Sequence, residues 1–240
     1  LIIQVKEVAK QFGGLRAVNN VSFDVNSKEI LGIIGPNGAG KTTLFNLISG
    51  SLPVTSGTVT FNGEDITSQK PFVICKKGIG RTYQVVKPFG GITVLENVMV
   101  GAFNKASSTK EAREYALEIL KKVGLDKKKD QIGNSLTIAD KKRLEVAKAL
   151  ATQPKLLLLD EVMAGLNPSE VKEMLPIIRG LRESGITIII IEHIMEVIMS
   201  VCDRIVVIHH GEKIAEGTPK EIANNEEVIK AYFGEEVSHA

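Results

Sequence analysis

The sequence predicts an α/β fold: a mostly parallel sheet, an N-terminal antiparallel β subdomain and an inserted helical subdomain. Three observations lead there. ILGII (30–34), LLLL (156–159) and ITIIII (186–191) are unbroken apolar runs, the pattern of parallel strands buried on both faces. Helical patterns lie between these runs, as parallel strands joined by crossovers require. Residues 1–30 instead alternate apolar and polar (Val18, Val21, Phe23, Val25), as antiparallel strands with a solvated side do.

Taken in order, ILGII runs into the glycine-rich loop GPNGAGKTT, and GIGRTY runs into Gln84. A helix is expected over about Lys110 to Val123, where Ala116, Ile119, Leu120 and Val123 share a face. SLTIADKKRLEVAKAL (135–150) ends as an ordinary amphipathic helix, with Leu144, Ala147 and Leu150 at helical spacing. Another helix begins at NPSE, where Asn167 can cap and Pro168 suits the first turn, and it stops before Gly185. Residues 87–153 hold helices but no strong buried strand. They read as a helical subdomain inserted into a core of 1–86 and 154–240, the whole being one domain.

The bulk numbers exclude several classes. A chain of 240 residues buries a substantial core. A net charge of +2 leaves no broad electrostatic footprint for nucleic acid. The local run KKKD (127–130) reads as a solvated turn. Cys75 and Cys202 lack metal-like spacing and read as free thiols in a reducing compartment. No secretory leader is visible, and no apolar run reaches the ~18 residues of a membrane span. The expectation is a soluble protein that can dock on a membrane protein.

The strand ends carry the chemistry, because open α/β sheets bind ligands beyond the carboxyl ends of their strands. GPNGAGKT fits G-x-x-x-x-G-K-[ST] at Gly35, Gly40, Lys41 and Thr42. In that loop of Gly35, Pro36, Asn37, Gly38, Ala39 and Gly40 the glycines let the backbone wrap a phosphate with N–H groups pointing inward, and the helix opening at Lys41, Thr42 and Thr43 adds its positive end. Lys41 supplies a charge for the β/γ-phosphates and Thr42 a hydroxyl for Mg²⁺. Asp160, closing a buried strand, is placed to hold Mg²⁺, and Glu161 to orient or deprotonate a water. Gln84 offers its side-chain oxygen to Mg²⁺ or water, and His193, after ITIIII, can reach the γ-phosphate.

These residues resemble the ATP-binding subunits of ABC transporters over nearly the whole chain. GPNGAGKTT resembles the Walker A motif of the P-loop NTPases, RTYQ the Q-loop, and LLLLDE the Walker B motif with its catalytic glutamate. AGLNPSE resembles the D-loop, IEH the switch histidine, and QFGG places Phe12 where the family stacks a ring on adenine. The resemblance implies an ATPase using ATP and Mg²⁺. It also implies a dimer with a second ATP-binding subunit, transmembrane permease subunits as partners, a periplasmic or extracellular solute-binding protein acting indirectly, and a peripheral place on the cytoplasmic face of the membrane. Permease docking is expected after the Q-loop, around Phe89 and Val94. FGGLRAVNNVSFDV, GIGRTYQVVKPFGGITVLENVMVGAF and AEGTPKEIANNEEVIKAYFGE look most like the branched-chain amino-acid transport subset. Urea uptake and lipopolysaccharide export are close relatives.

One motif departs from the pattern. In the family a Leu-Ser-Gly-Gly-Gln signature opens a helix aimed at the γ-phosphate of the opposite subunit. Here the place is taken by Leu136, Thr137, Ile138, Ala139 and Asp140. Thr137 keeps a hydroxyl for phosphate and both glycines are gone. Asp140 is expected to cap the helix while bringing negative charge toward phosphate. Weak hydrolysis, or a non-hydrolysing regulator, is the alternative this departure raises.

Overall fold

The computed structural model describes residues 1–233; Gly234 and Glu235, which end the third of the quoted stretches, lie outside it. Strands β1 (Ile3–Phe12) and β2 (Leu15–Val25) form a hairpin, and β3 (Ile30–Ile34) leads toward helix α1 (Lys41–Ile48). Strands β4 (Ser56–Phe61) and β5 (Glu64–Asp65), helix α2 (Pro71–Lys77) and strand β6 (Ile79–Arg81) follow. Helices α3 (Val94–Ala102), α4 (Thr109–Lys122) and α5 (Ile138–Ala151) come next, with short 3₁₀ turns at Asp126–Lys128 and Gly133–Ser135. The chain continues through β7 (Leu156–Asp160), α6 (Pro168–Glu183), β8 (Thr187–Ile191) and α7 (Met195–Val201). It closes with β9 (Arg204–His209), β10 (Glu212–Gly217), α8 (Pro219–Ala223) and α9 (Glu226–Phe233).

The chain divides into two units, residues 1–74 with 187–240, and residues 75–186. In the first unit an antiparallel sheet runs β2-β1-β4-β5. Val5 pairs with Phe23 on one side and Val59 on the other, and all three are buried. The alternation of residues 1–30 is thus the inward face of this sheet. The unit's other strands run β10-β9-β3-β8, with β3 parallel to both β8 and β9. Every residue of β3 and β8 is buried, which is why neither run alternates. Gly32 in β3 has no side chain because α7 lies against it: a Cβ there would sit 2.9 Å from Cys202 Sγ. Burial in that contact pushes the Cys202 thiol up to about 12, so it is an inert core group.

In the second unit β6 and β7 pair in parallel, Ile79 opposite Leu156 and Arg81 opposite Leu158. Residues 87–153 carry α3, α4 and α5, and their β pairing is a single isolated bridge between Thr93 and Ile132. Helix α3 starts where the Thr93 hydroxyl and the Glu96 carboxylate cap each other's N–H groups. Ser108 caps α4, whose buried stripe is Ala112, Ala116, Ile119 and Leu120. Helix α3 packs on both α4 and α5. Asn167 caps α6 with Glu170 completing the box and Pro168 in the first turn, as the sequence indicates. No described helix is long and apolar enough to cross a membrane.

Candidate nucleotide site

The glycine-rich loop 35–40 belongs to the first unit. It leaves β3 at Gly35, where a Cβ would lie 1.9 Å from the Ile208 carbonyl oxygen of β9, so glycine alone fits. Gly40, with φ at 102°, caps α1 without a side-chain hydrogen bond, and the first turn of α1 has no acidic residue. With no capping side chain and no acidic residue, the helix keeps an undiminished positive end, which suits an anion. Lys41 is 6% exposed, and its ammonium folds back to donate to the carbonyls of Gly35 at 2.6 Å and Pro36 at 2.8 Å. The charge is thereby held inside the loop, while Asn37 and Gly38 at its tip are exposed and Thr42 and Thr43 are half-buried. From α9 the Tyr232 hydroxyl accepts the Gly35 N–H, and burial pushes that phenol up to about 12.

His193 leaves the same edge. Ile33 of β3 is paired with Ile191 of β8, so Gly35 and His193 both stand two residues beyond a matched pair, and His193 is exposed. Phe12 ends β1 and is 45% exposed, with the Lys10 ammonium 5.1 Å from its ring centre. An exposed ring beside a cation is not core, so packing does not explain Phe12.

Asp160, Glu161, Gln84 and Thr137 belong to the second unit. Asp160 is 1% exposed at the end of β7. One carboxylate oxygen pairs with Arg81 at 3.1 Å, and the other, Oδ1, is buried without a hydrogen-bond partner. Burial raises the Asp160 carboxyl above its ordinary value despite the opposing charge of Arg81. A buried acceptor oxygen with no donor and a raised pKa suits a hard cation such as Mg²⁺. Glu161 follows in the left-handed region, φ 51°, and its carboxylate accepts a hydrogen bond from Gln84 Nε2 at 2.7 Å. Gln84 thus commits its amide nitrogen to Glu161, which leaves its oxygen for other groups.

At the signature position the structure corrects one expectation. The N-cap of α5 is Thr137, whose extended backbone (ψ 166°) lets its hydroxyl accept the Asp140 N–H at 3.2 Å. Asp140 is the third residue inside the helix. It is 6% exposed, its carboxylate accepts the Thr137 hydroxyl proton at 2.8 Å, and it pairs with Lys128. Its charge is locally matched and does not project from the helix end. KKKD is likewise more than a solvated turn, since Lys128 is the partner of Asp140.

The ABC transporter family profile matches residues 18–164, which include the phosphate loop, Gln84, the signature position, Asp160 and Glu161. The chain belongs to the ABC transporter family. It is an ATP-binding subunit of the ATP-hydrolysing kind. A second profile, of branched-chain amino acid ATP-binding cassette transporters, matches residues 212–238. This ABC subunit is 40% identical to the high-affinity branched-chain amino acid transport ATP-binding protein BraF of Pseudomonas aeruginosa, covering 98% of each chain. Its fold matches the ADP conformation of the ATP-binding cassette MJ1267, with TM-score 0.88 and 32% identity over 97% of this chain and 98% of that one. It also matches the dimeric post-hydrolysis cassette MJ0796 bound to ADP and Pi, with TM-score 0.82 and 27% identity over 91% and 99% of the two chains.

Four residues that contact the candidate site residues are not evident from the sequence: Arg81, Lys128, Lys142 and Tyr232. For Lys142 a signal exists, because Ala139, Lys142 and Val146 fall on one face of α5 and all are buried. The others pair across gaps of 12 to 197 residues, which periodicity does not register.

Proposed function

We propose that this subunit binds Mg²⁺–ATP and hydrolyses it to drive branched-chain amino-acid uptake through transmembrane permeases. The observation that carries the hydrolytic part is Asp160 Oδ1, a buried acceptor without a partner, next in sequence to a glutamate whose carboxylate is held by Gln84. The loop from Gly35 to Gly40 and the start of α1 cradle the phosphates, with Lys41 as counter-charge and Thr43 beside Thr42 in the first turn. Thr42, Asp160 and the Gln84 oxygen are hard donors that would hold Mg²⁺, which when bound neutralises charge on the β- and γ-phosphate oxygens. Glu161 orients a water and takes its proton as the water attacks the γ-phosphorus, whose bond to the β–γ bridging oxygen breaks so that ADP leaves. His193 contacts the γ-phosphate, and Phe12 stacks on adenine.

Thr137 and the start of α5 face the ATP of a second ATP-binding subunit, a copy of this chain or a paralogue. Permeases dock on the surface after Gln84, where Val85 and Phe89 are exposed, whereas Val94 is fully buried and serves the subdomain interior. The whole chain acts as one ATPase domain with 87–153 as its helical subdomain, on the cytoplasmic face of the membrane. A solute-binding protein delivers solute to the permeases from the other side. The match of residues 212–238 to the branched-chain cassette profile supports the solute class.

The test is uptake of labelled leucine, isoleucine and valine into proteoliposomes carrying the subunit with its permeases and binding protein, with urea as control. Chelation of Mg²⁺ should stop both hydrolysis and uptake. Urea uptake without leucine uptake, or lipopolysaccharide extraction in its place, would reassign the solute.

A further inference from the structure

Lys142 is a buried ammonium that none of these roles uses. It sits on the fifth residue of α5 and is 6% exposed, and its Nζ donates to the backbone carbonyl of Glu161 at 2.8 Å. That carbonyl also accepts the Ala164 N–H at 3.2 Å, in the turn that follows Glu161. Glu161 holds a left-handed backbone, which residues with a side chain seldom adopt without support from their surroundings. An ammonium is costly to bury unless its hydrogen bonds and nearby charges compensate. Here the compensation comes from the Glu161 peptide and the neighbouring Asp160 carboxylate, whose ionisation the Lys142 charge favours. The carbonyl of a residue and its side chain diverge from one Cα. Anchoring the first therefore sets the direction of the second, here toward Gln84 Nε2.

The same helix carries both ends of this contact's consequence. Thr137 caps α5 and Lys142 lies five residues on, so a rigid turn and a half of helix joins the signature position to the Glu161 peptide. We propose that Lys142 is a positioning residue, fixing the Glu161 backbone so that its carboxylate is aimed for hydrolysis and follows any movement of the α5 N-terminus. The proposal rests on Glu161 as the group that activates water. It does not involve the phosphate loop, which lies in the other unit.

Lys142→Met keeps the apolar stem and removes the donor. Its kcat should fall by about 10- to 100-fold, the usual cost of a misplaced catalytic group, while equilibrium affinity for ATP and ADP stays within about twofold of the parent. Lys142→Gln restores an N–H donor on a shorter stem and should recover part of the lost kcat, which a charge-free filling role would not allow. The deciding comparison uses residual phosphate release over hours in a Glu161→Gln background. Lys142→Met should cause no further loss there, because a residue acting through Glu161 has nothing left to position. An undiminished kcat in Lys142→Met alongside an inactive Glu161→Gln overturns the positioning role and leaves Glu161 intact. A loss that multiplies in full with that of Glu161→Gln also overturns it. Normal turnover in Glu161→Gln itself overturns the Glu161 reading, and the Lys142 role with it. Should Lys142→Met fail to fold, the same cycle run with Lys142→Gln separates the same outcomes, with a smaller expected loss of about threefold to tenfold.

Discussion

Replacing Lys128 by methionine removes the ammonium paired with Asp140 and tests whether the altered signature is a built unit. The Asp140 side chain is 8% exposed and that of Lys128 39%. A hydrogen bond to a charged group contributes about 1.5–3 kcal/mol. Solvent screening on the exposed lysine side reduces this to about 1 kcal/mol, which for a chain of this length lowers Tm by about 2–4 °C. The pH dependence has a definite sign. Burial pushes the Asp140 carboxyl up, but hydrogen bonds from Lys128 and Thr137 and the charges of Lys128 and Arg143 outweigh it, so the folded value lies below the ordinary 3.8. The stabilisation is therefore complete above that ordinary value and is lost as pH falls through the lower folded one. In Lys128→Met burial is less opposed, the folded value rises, and the deficit seen at neutral pH should shrink in acid. Urea melts between neutral and acid pH measure this, with Asp140→Asn and the double variant closing a cycle. Single-variant losses that add to within about 0.3 kcal/mol would show that the two residues do not interact, and the built unit would fall with that result. The unit also changes how the signature can be repaired. Asp140→Gln would strand Lys128 and cost stability, so any gain in ATP-dependent dimerisation should come from Ala139→Gly alone.

Glu161→Gln should keep ATP affinity, slow turnover strongly and accumulate an ATP-dependent dimer in light scattering; unchanged hydrolysis would remove Glu161 from its role. Lys41→Ala should abolish tight binding of ATP and ADP alike, whereas His193→Ala should bind both and lose turnover. Equal weakening of ADP and ATP binding in His193→Ala would sink its γ-phosphate contact. Gly35→Ala drives a Cβ to 1.9 Å from the Ile208 carbonyl oxygen, so it should destabilise the protein by about 2 kcal/mol or more. A melting temperature equal to the parent's would mean that the loop relaxes freely.

The local facts of this protein can be read from its sequence. Unbroken apolar runs mark strands buried on both faces, Asn167 and Pro168 mark the start of α6, and GPNGAGKTT marks the turn from β3 into α1. Each depends on residues within a few positions of one another, so spacing alone expresses it. The cap of α5 is also local, yet the sequence points to Asp140 because a carboxylate suits that place. Backbone geometry gives the cap to Thr137, whose hydroxyl reaches the third N–H only from the position before the helix. What stays hidden in the sequence is how charges are matched across distance, as with Lys128 on Asp140, Arg81 on Asp160 and Lys142 on the Glu161 carbonyl. Lys, Arg and Asp are surface residues by default, and their names carry no trace of burial. Where α5 packs against β6 and β7, Arg81, Asp160 and Lys142 are taken out of water. Once dry, each ion must find a partner, and the choice of partner is made by the tertiary structure.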